Sequence, residues 1–181
     1  QHLTKRGTPT MGGVVIILAT VVAWLIGSAV AGAGPSWSGL LLVFLFVGLG
    51  VIGLLDDGIK IMRQRSLGLH PSGKIIGQVA VASLFALGTL IMPNEFGEYA
   101  GTLAISFARP TALTLGFAGL GVGIALYLIW TNLIVTAWSN ATNLTDGLDG
   151  LAAGVSIFVF GAYTFITYFQ RIQACTQLGA N

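Results

Sequence analysis

Charge is scarce in this 181-residue chain: eight Lys and Arg and six Asp and Glu amount to 8% of the sequence. A soluble globular domain carries about a quarter, so that class is excluded. A single cysteine, Cys175, leaves no internal disulfide and says nothing about redox compartment. The net charge is only +2, and no basic stretch is interleaved with aromatic residues, which argues against a nucleic-acid partner. What is abundant is apolar: 55% hydrophobic residues, 26 glycines and a mean hydropathy of +0.88. Such a chain is neither disordered, collagenous nor a disulfide scaffold. It reads as an all-α polytopic membrane protein.

Charge-free stretches locate the spans. No acid or base occurs between Arg6 and Asp56, a run of 49 residues. As one helix it would reach about 73 Å, over twice the hydrocarbon thickness of a bilayer, so it turns once. Gly32, Gly34, Pro35 and Ser36 mark that turn. Five spans follow, near 11–31, 38–55, 74–92, 113–137 and 150–170. Alternation between Thr102 and Phe107, followed by Arg109-Pro110, predicts a short hairpin near 102–115. No linker or internal repeat divides the chain, so residues 1–181 read as one integral-membrane domain. Lys5, Arg6, Lys60, Arg63, Arg65 and Lys74 fall on one side of these spans, and only Arg109 and Arg171 on the other. The positive-inside rule therefore places residues 1–10, 57–73 and 138–149 in the cytoplasm. Residues 1–10 enter a span directly, without signal-peptide architecture.

The acids carry the functional information. Glu95 and Glu98 lie in the outer loop and read as solvated surface charge. Asp56, Asp57, Asp146 and Asp149 all abut apolar spans at the cytoplasmic side, where acids usually face a cavity, a metal or a partner. One such Asp would read as a marker of a helix end; two close pairs on one side do not. On a helix, Asp56 and Asp57 point about 100° apart and cannot chelate one ion symmetrically, which suggests a division of labour. Lys60, four residues after Asp56 and three after Asp57, can pair with either acid or meet an anionic ligand. Asn140, Asn143, Asp146 and Asp149 recur every three residues, and Gly147 and Gly150 permit sharp turns or a close ligand. A polar loop of Asx turns would explain the composition but not the spacing. A third segment, Lys5–Gly13 (KRGTPTMGG), combines cations, hydroxyls and glycines suited to an anion, or equally to a basic membrane-entry turn.

Other patterns carry less. Asn140-Ala-Thr142 and Asn143-Leu-Thr145 fit a glycosylation acceptor but fall inside. Asp146–Asp149 is no calcium loop, because no Glu follows. Gly68–Lys74 nearly matches a phosphate-binding loop, but Ile75 replaces the hydroxyl residue and a span surrounds it. Gly119-xxx-Gly123 and Gly150-xxx-Gly154 fit close helix contact. His2 and His70 are lone loop histidines. The economical reading is a cytoplasmic polar site that uses a metal and phosphates.

GTPTMGG after a basic residue, LLDD-x-x-K at a span end, and N-x-x-N-x-T-D-G-x-D-G-L-A are together similar to the motifs of the polyprenyl-phosphate N-acetylhexosamine-1-phosphate transferase superfamily. The first string resembles its phospho-N-acetylmuramoyl-pentapeptide transferase branch in particular, and the likeness runs from Thr4 to Gly154. The resemblance implies a bacterial inner-membrane, multi-pass enzyme of peptidoglycan synthesis. Undecaprenyl phosphate would attack the sugar-linked phosphate of UDP-N-acetylmuramoyl-pentapeptide, releasing UMP and forming lipid I with Mg²⁺. It implies Asp56 and Asp57 in metal or lipid-phosphate chemistry, and Asp146 and Asp149 with Asn140 and Asn143 in the nucleoside and catalytic cleft. Lys5 and Thr10 would serve the nucleotide-sugar site, and Lys60 and Lys74 the path of the diphosphate and lipid phosphate. A homodimer is left open.

Departures accompany the likeness. The family's later metal-binding Asp loop, its His-rich motif and its opening span have no counterpart in these residues, so the expectation is a fragment of about half a member, inactive alone. Gly58 stands where the family usually has a larger residue. A UDP-N-acetylglucosamine:polyprenyl-phosphate phosphotransferase stays an alternative within the superfamily. From other classes, an ion-coupled transporter or a structural membrane subunit remains; transport sites usually lie near the bilayer midplane, and a structural subunit would tolerate Asp57→Asn and Asp149→Asn.

Overall fold

The computed structural model describes residues 12–32, 34–63, 68–93, 97–106, 110–145 and 150–178. Among them are five α-helices: α1 (Gly12–Val30), α2 (Trp37–Arg63), α3 (Pro71–Ile91), α4 (Leu120–Thr145) and α5 (Leu151–Leu178). Each contains a stretch long and apolar enough to cross a membrane. Between α3 and α4 lie β1 (Ala104–Ser106) and β2 (Pro110–Thr114), paired antiparallel with an irregularity between Ala104 and Ser106. The hairpin stands where the alternation predicted it. Leu113 differs from expectation: it belongs to β2, and a 3-10 turn over Leu115–Ala118 delays the helix until Leu120. Gly119, at φ +106°, makes that delay sterically cheap.

The chain forms two compact units, residues 1–136 and 137–181. In the first, α2 packs against both α1 and α3. Glycines set the α2–α3 contact. Gly88 receives Leu41, Gly48 receives Val81 and Gly77 receives Ile52, each so closely that an added Cβ would crowd the partner side chain. The steps along α2 (41, 48, 52) match those along α3 (88, 81, 77), so the helices run antiparallel in constant register. Membrane helices associate through such small-residue holes because lipid offers no hydrophobic drive between them. On the α1 side, Gly39 faces Trp24 and Gly50 faces Ile17.

Helix α3 is the most buried, with Gln78, Ala82, Ala86, Gly88 and Thr89 all enclosed. Polar bonds that join it to α4 include Thr89 Oγ1 to Tyr127 Oη at 2.9 Å, and Asn132 Nδ2 donating to Ser83 Oγ at 3.0 Å. At the same end as Thr89, Gly101 N–H donates to the Thr89 carbonyl at 2.8 Å and ties the hairpin to α3. Gly123 packs against Gly116 and Leu103, so its place in the Gly119-xxx-Gly123 pattern reflects contact with the hairpin and 3-10 turn rather than with another helix.

In the second unit, Gly150 adopts φ +83° just before α5, a conformation glycine reaches without strain. At neither Gly150 nor Gly154 would an added Cβ come within 4 Å of a described atom outside its own stretch of helix. Hydroxyls along α5 return to their own helix: Ser156 to Ala152, Thr164 to Phe160 and Thr167 to Tyr163, all at 2.7–2.8 Å. In hydrocarbon this satisfies groups that have no water to turn to.

Candidate active site

Helix α2 runs beyond the predicted span end at Leu55 and carries Asp56, Asp57 and Lys60 on its last two turns. The ammonium of Lys60 bridges the acids, 2.7 Å from Asp56 Oδ2 and 3.0 Å from Asp57 Oδ1. Helical spacing alone makes this possible, since residues three and four apart are neighbours on one face. The two carboxylates nevertheless differ. Asp56 is 13% exposed, and its Oδ1 accepts the backbone N–H of Leu69 at 2.8 Å, so both of its oxygens are engaged. Asp57 is 59% exposed and meets Lys60 through one oxygen. The two neighbouring acids thus differ in exposure and in partners.

Asp57 also lines a cavity of about 230 Å³ with Gly13, Val14, Ile17, Gly50, Gly53 and Leu54. This brings the start of α1 beside the end of α2. Lys74 lies in the first turn of α3, where His70 precedes Pro71 and accepts the Lys74 N–H through its carbonyl at 3.1 Å. The His70 ring is hydrogen-bonded to Ser72 Oγ at 2.7 Å.

Asn140 and Asn143 belong to the second unit, three residues apart on α4, which continues as helix to Thr145. The stretch 138–145, read as a cytoplasmic connection, is thus helical. Lys5, Thr10, Asp146 and Asp149 lie outside the described residues. Among the described residues no group of three or more His, Cys, Asp and Glu is placed to hold a metal ion. The reading of the residues missed the Leu69 amide and Gly68, which pack directly on Asp56. A backbone amide leaves no trace in sequence, and Gly68 was visible only as part of a rejected phosphate-loop pattern.

Comparison with known proteins matches residues 39–179 to the family model described as glycosyl transferase family 4. The chain belongs to that family. Residues 5–17 additionally match signature 1 of phospho-N-acetylmuramoyl-pentapeptide-transferase, a stretch that reaches Gly13 and Ile17 in the cavity wall. Among curated relatives, the phospho-N-acetylmuramoyl-pentapeptide-transferase of Beutenbergia cavernae is 56% identical over 177 residues, covering 98% of this chain and 49% of its own length. Those of Micrococcus luteus and Renibacterium salmoninarum are 51% and 50% identical, covering 98% and 97% of this chain and again 49% of their own. The chain spans about half the length of the curated relatives it matches. Family membership makes a transporter or a purely structural subunit the poorer account of the acids.

Proposed function

We propose that this chain is part of an enzyme that transfers phospho-N-acetylmuramoyl-pentapeptide from its UDP donor to undecaprenyl phosphate, giving lipid I and UMP. The observation that carries the reading is the Asp56–Lys60–Asp57 cluster beside the start of α1, where the family's acidic pair and the muramoyl-branch signature meet one cavity wall. The site faces the cytoplasm, because the basic residues cluster at that end and the sugar donor is soluble there.

The chemistry asks little of a base. A lipid monophosphate has a second pKa near 6 and is mostly dianionic at neutral pH. Its oxygen attacks the sugar-linked phosphorus, a new P–O bond forms, and the bond to UMP breaks. The larger barrier is bringing two anions together, which positioned cations relieve. Lys60 meets phosphate oxygens from its place between the acids, and Lys74 adds charge at the start of α3. Magnesium fits as an ion shared with substrate: it commonly takes one or two carboxylates and completes its shell with phosphates and water. Asp57 is exposed enough to serve, whereas Asp56 is already committed to Lys60 and Leu69. When bound, the ion neutralises charge on the diphosphate and the departing UMP.

The test is lipid I synthesis by membranes carrying the full-length gene product, with labelled UDP-N-acetylmuramoyl-pentapeptide, undecaprenyl phosphate and Mg²⁺. Lipid I and UMP should form in equal amounts, and chelation should stop the reaction. Product from UDP-N-acetylglucosamine instead would move the protein to the other branch of the superfamily, and product from neither donor would overturn the reading.

A further inference from the structure

Gly68 stands where a side chain has no room. An added Cβ would run into the Asp56 carboxylate oxygen Oδ1 and would lie 2.6 Å from the Asp56 carbonyl and 2.9 Å from its carboxyl carbon. Backbone conformation does not explain the glycine: among the described glycines positive φ is confined to Gly32, Gly97, Gly119 and Gly150. The requirement is space. The next residue, Leu69, donates its N–H to the same Oδ1, while the other oxygen, Oδ2, takes Lys60. An amide and an ammonium thus grip the two oxygens of one carboxylate from opposite partners, thirteen residues apart along the chain on one side and four on the other.

We infer that Gly68 and the Leu69 amide are positioning residues: they fix the Asp56 carboxylate so that it holds the Lys60 ammonium next to the exposed Asp57. The inference rests on the transferase reading for its catalytic consequence, but its geometric content stands apart from it. Without the Leu69 bond, Asp56 could turn about its side-chain torsions, and Lys60 would lose the partner that sets its height above Asp57. The turn that precedes α3 is thereby a working part of the charge cluster and not a plain connection. Gly73, just beyond it in the first turn of α3, supplies the contrast, since a Cβ there would make only an ordinary 3.8 Å contact with Leu69 Cδ2.

The experiment compares Gly68→Ala and Gly73→Ala in the full-length gene product in membranes. Three readouts are taken: labelling of Lys60 by a small amine reagent relative to Lys74, lipid I turnover with the donor KM, and the thermal unfolding midpoint in detergent. Gly68→Ala should raise Lys60 labelling several-fold and lower turnover at least about tenfold, as a displaced charged group does, with the donor KM changed far less. Gly73→Ala should leave all three near the parent's values. Equal Lys60 labelling in Gly68→Ala and parent, or equal effects from both variants, would overturn the inference. Should Gly68→Ala fail to fold, hydrogen exchange in the parent decides: the Leu69 amide should be protected, and exchange as fast as a free amide sinks the proposal. A parent that makes no lipid I refutes the transferase reading, while labelling and exchange still judge the latch.

Discussion

Asp56 and Asp57 are chemically identical neighbours, and their surroundings alone separate them. Asp56 spends both oxygens on Leu69 and Lys60, while Asp57 stays largely open to whatever enters the cavity. Asp57→Asn should therefore lower lipid I turnover by at least about 100-fold, the loss expected when one preorganised charge contact to a reacting centre is removed. The unfolding midpoint should hardly move, because an exposed ion pair contributes little to stability. Turnover of Asp57→Asn within about threefold of the parent would remove Asp57 from the reaction. The sequence made this asymmetry half legible. Consecutive acids on a helix must diverge, and Lys60 at the fourth position must lie near both. Which acid would be sequestered depended on a backbone amide thirteen residues on, which no pattern of side chains announces.

Helix ends were read from charge, and charge marks the end of hydrocarbon rather than the end of a helix. α2 continues through Arg63 because Lys60 neutralises the acids from within the helix, and α4 continues to Thr145, whose hydroxyl returns to the Ala141 carbonyl at 2.8 Å. The five spans themselves were legible, since apolar length is a direct record of bilayer thickness. The glycine register between α2 and α3 was not, because a glycine in a span gives no hint of which side chain fills it. That register makes a quantitative forecast. Gly88→Val would drive a branched side chain into Leu41 and should cost about 1–3 kcal/mol by overpacking, read as a lowered unfolding midpoint in detergent. Gly53→Ala, at a site with no described atom within 4 Å of the new Cβ, should be close to neutral. Equal stability of the two variants would contradict the packing described. Tyr127→Phe removes the bond to Thr89 and should cost about 0.6 kcal/mol, typical of hydrogen bonds between membrane helices. In a double-mutant cycle with Thr89→Val the coupling should account for most of that loss, and additive effects would show that the bond contributes nothing.

At the scale of the molecule, the proposed transfer depends on which end of the helices faces the soluble donor. Gly13 and Asp57 line one cavity, and Lys74 lies in the first turn of α3, just after the α2–α3 connection. Thr89, Tyr127 and the hairpin lie at the other end of α3, about 22 Å away by helical rise over fifteen residues. The proposed topology puts these two ends at opposite faces of a bilayer, and by the positive-inside rule the excess of Lys and Arg predicts a cytoplasmic acid-bearing end. Single cysteines introduced at Thr10, Gly58, Leu148 and Tyr99, in a Cys175→Ser background, test this with a membrane-impermeant maleimide. Thr10, Gly58 and Leu148 should label in inverted vesicles and resist labelling in intact spheroplasts, and Tyr99 should do the reverse. A transferase whose donor is cytoplasmic and whose lipid phosphate sits at the inner headgroup plane requires the first three to share a compartment. If Thr10 and Gly58 reacted from opposite sides, the wall formed by Gly13 and Asp57 could not exist in the membrane. If all four reversed together, the charge cluster would survive but would face away from its donor, and the assignment of UDP-linked substrate would fail with it.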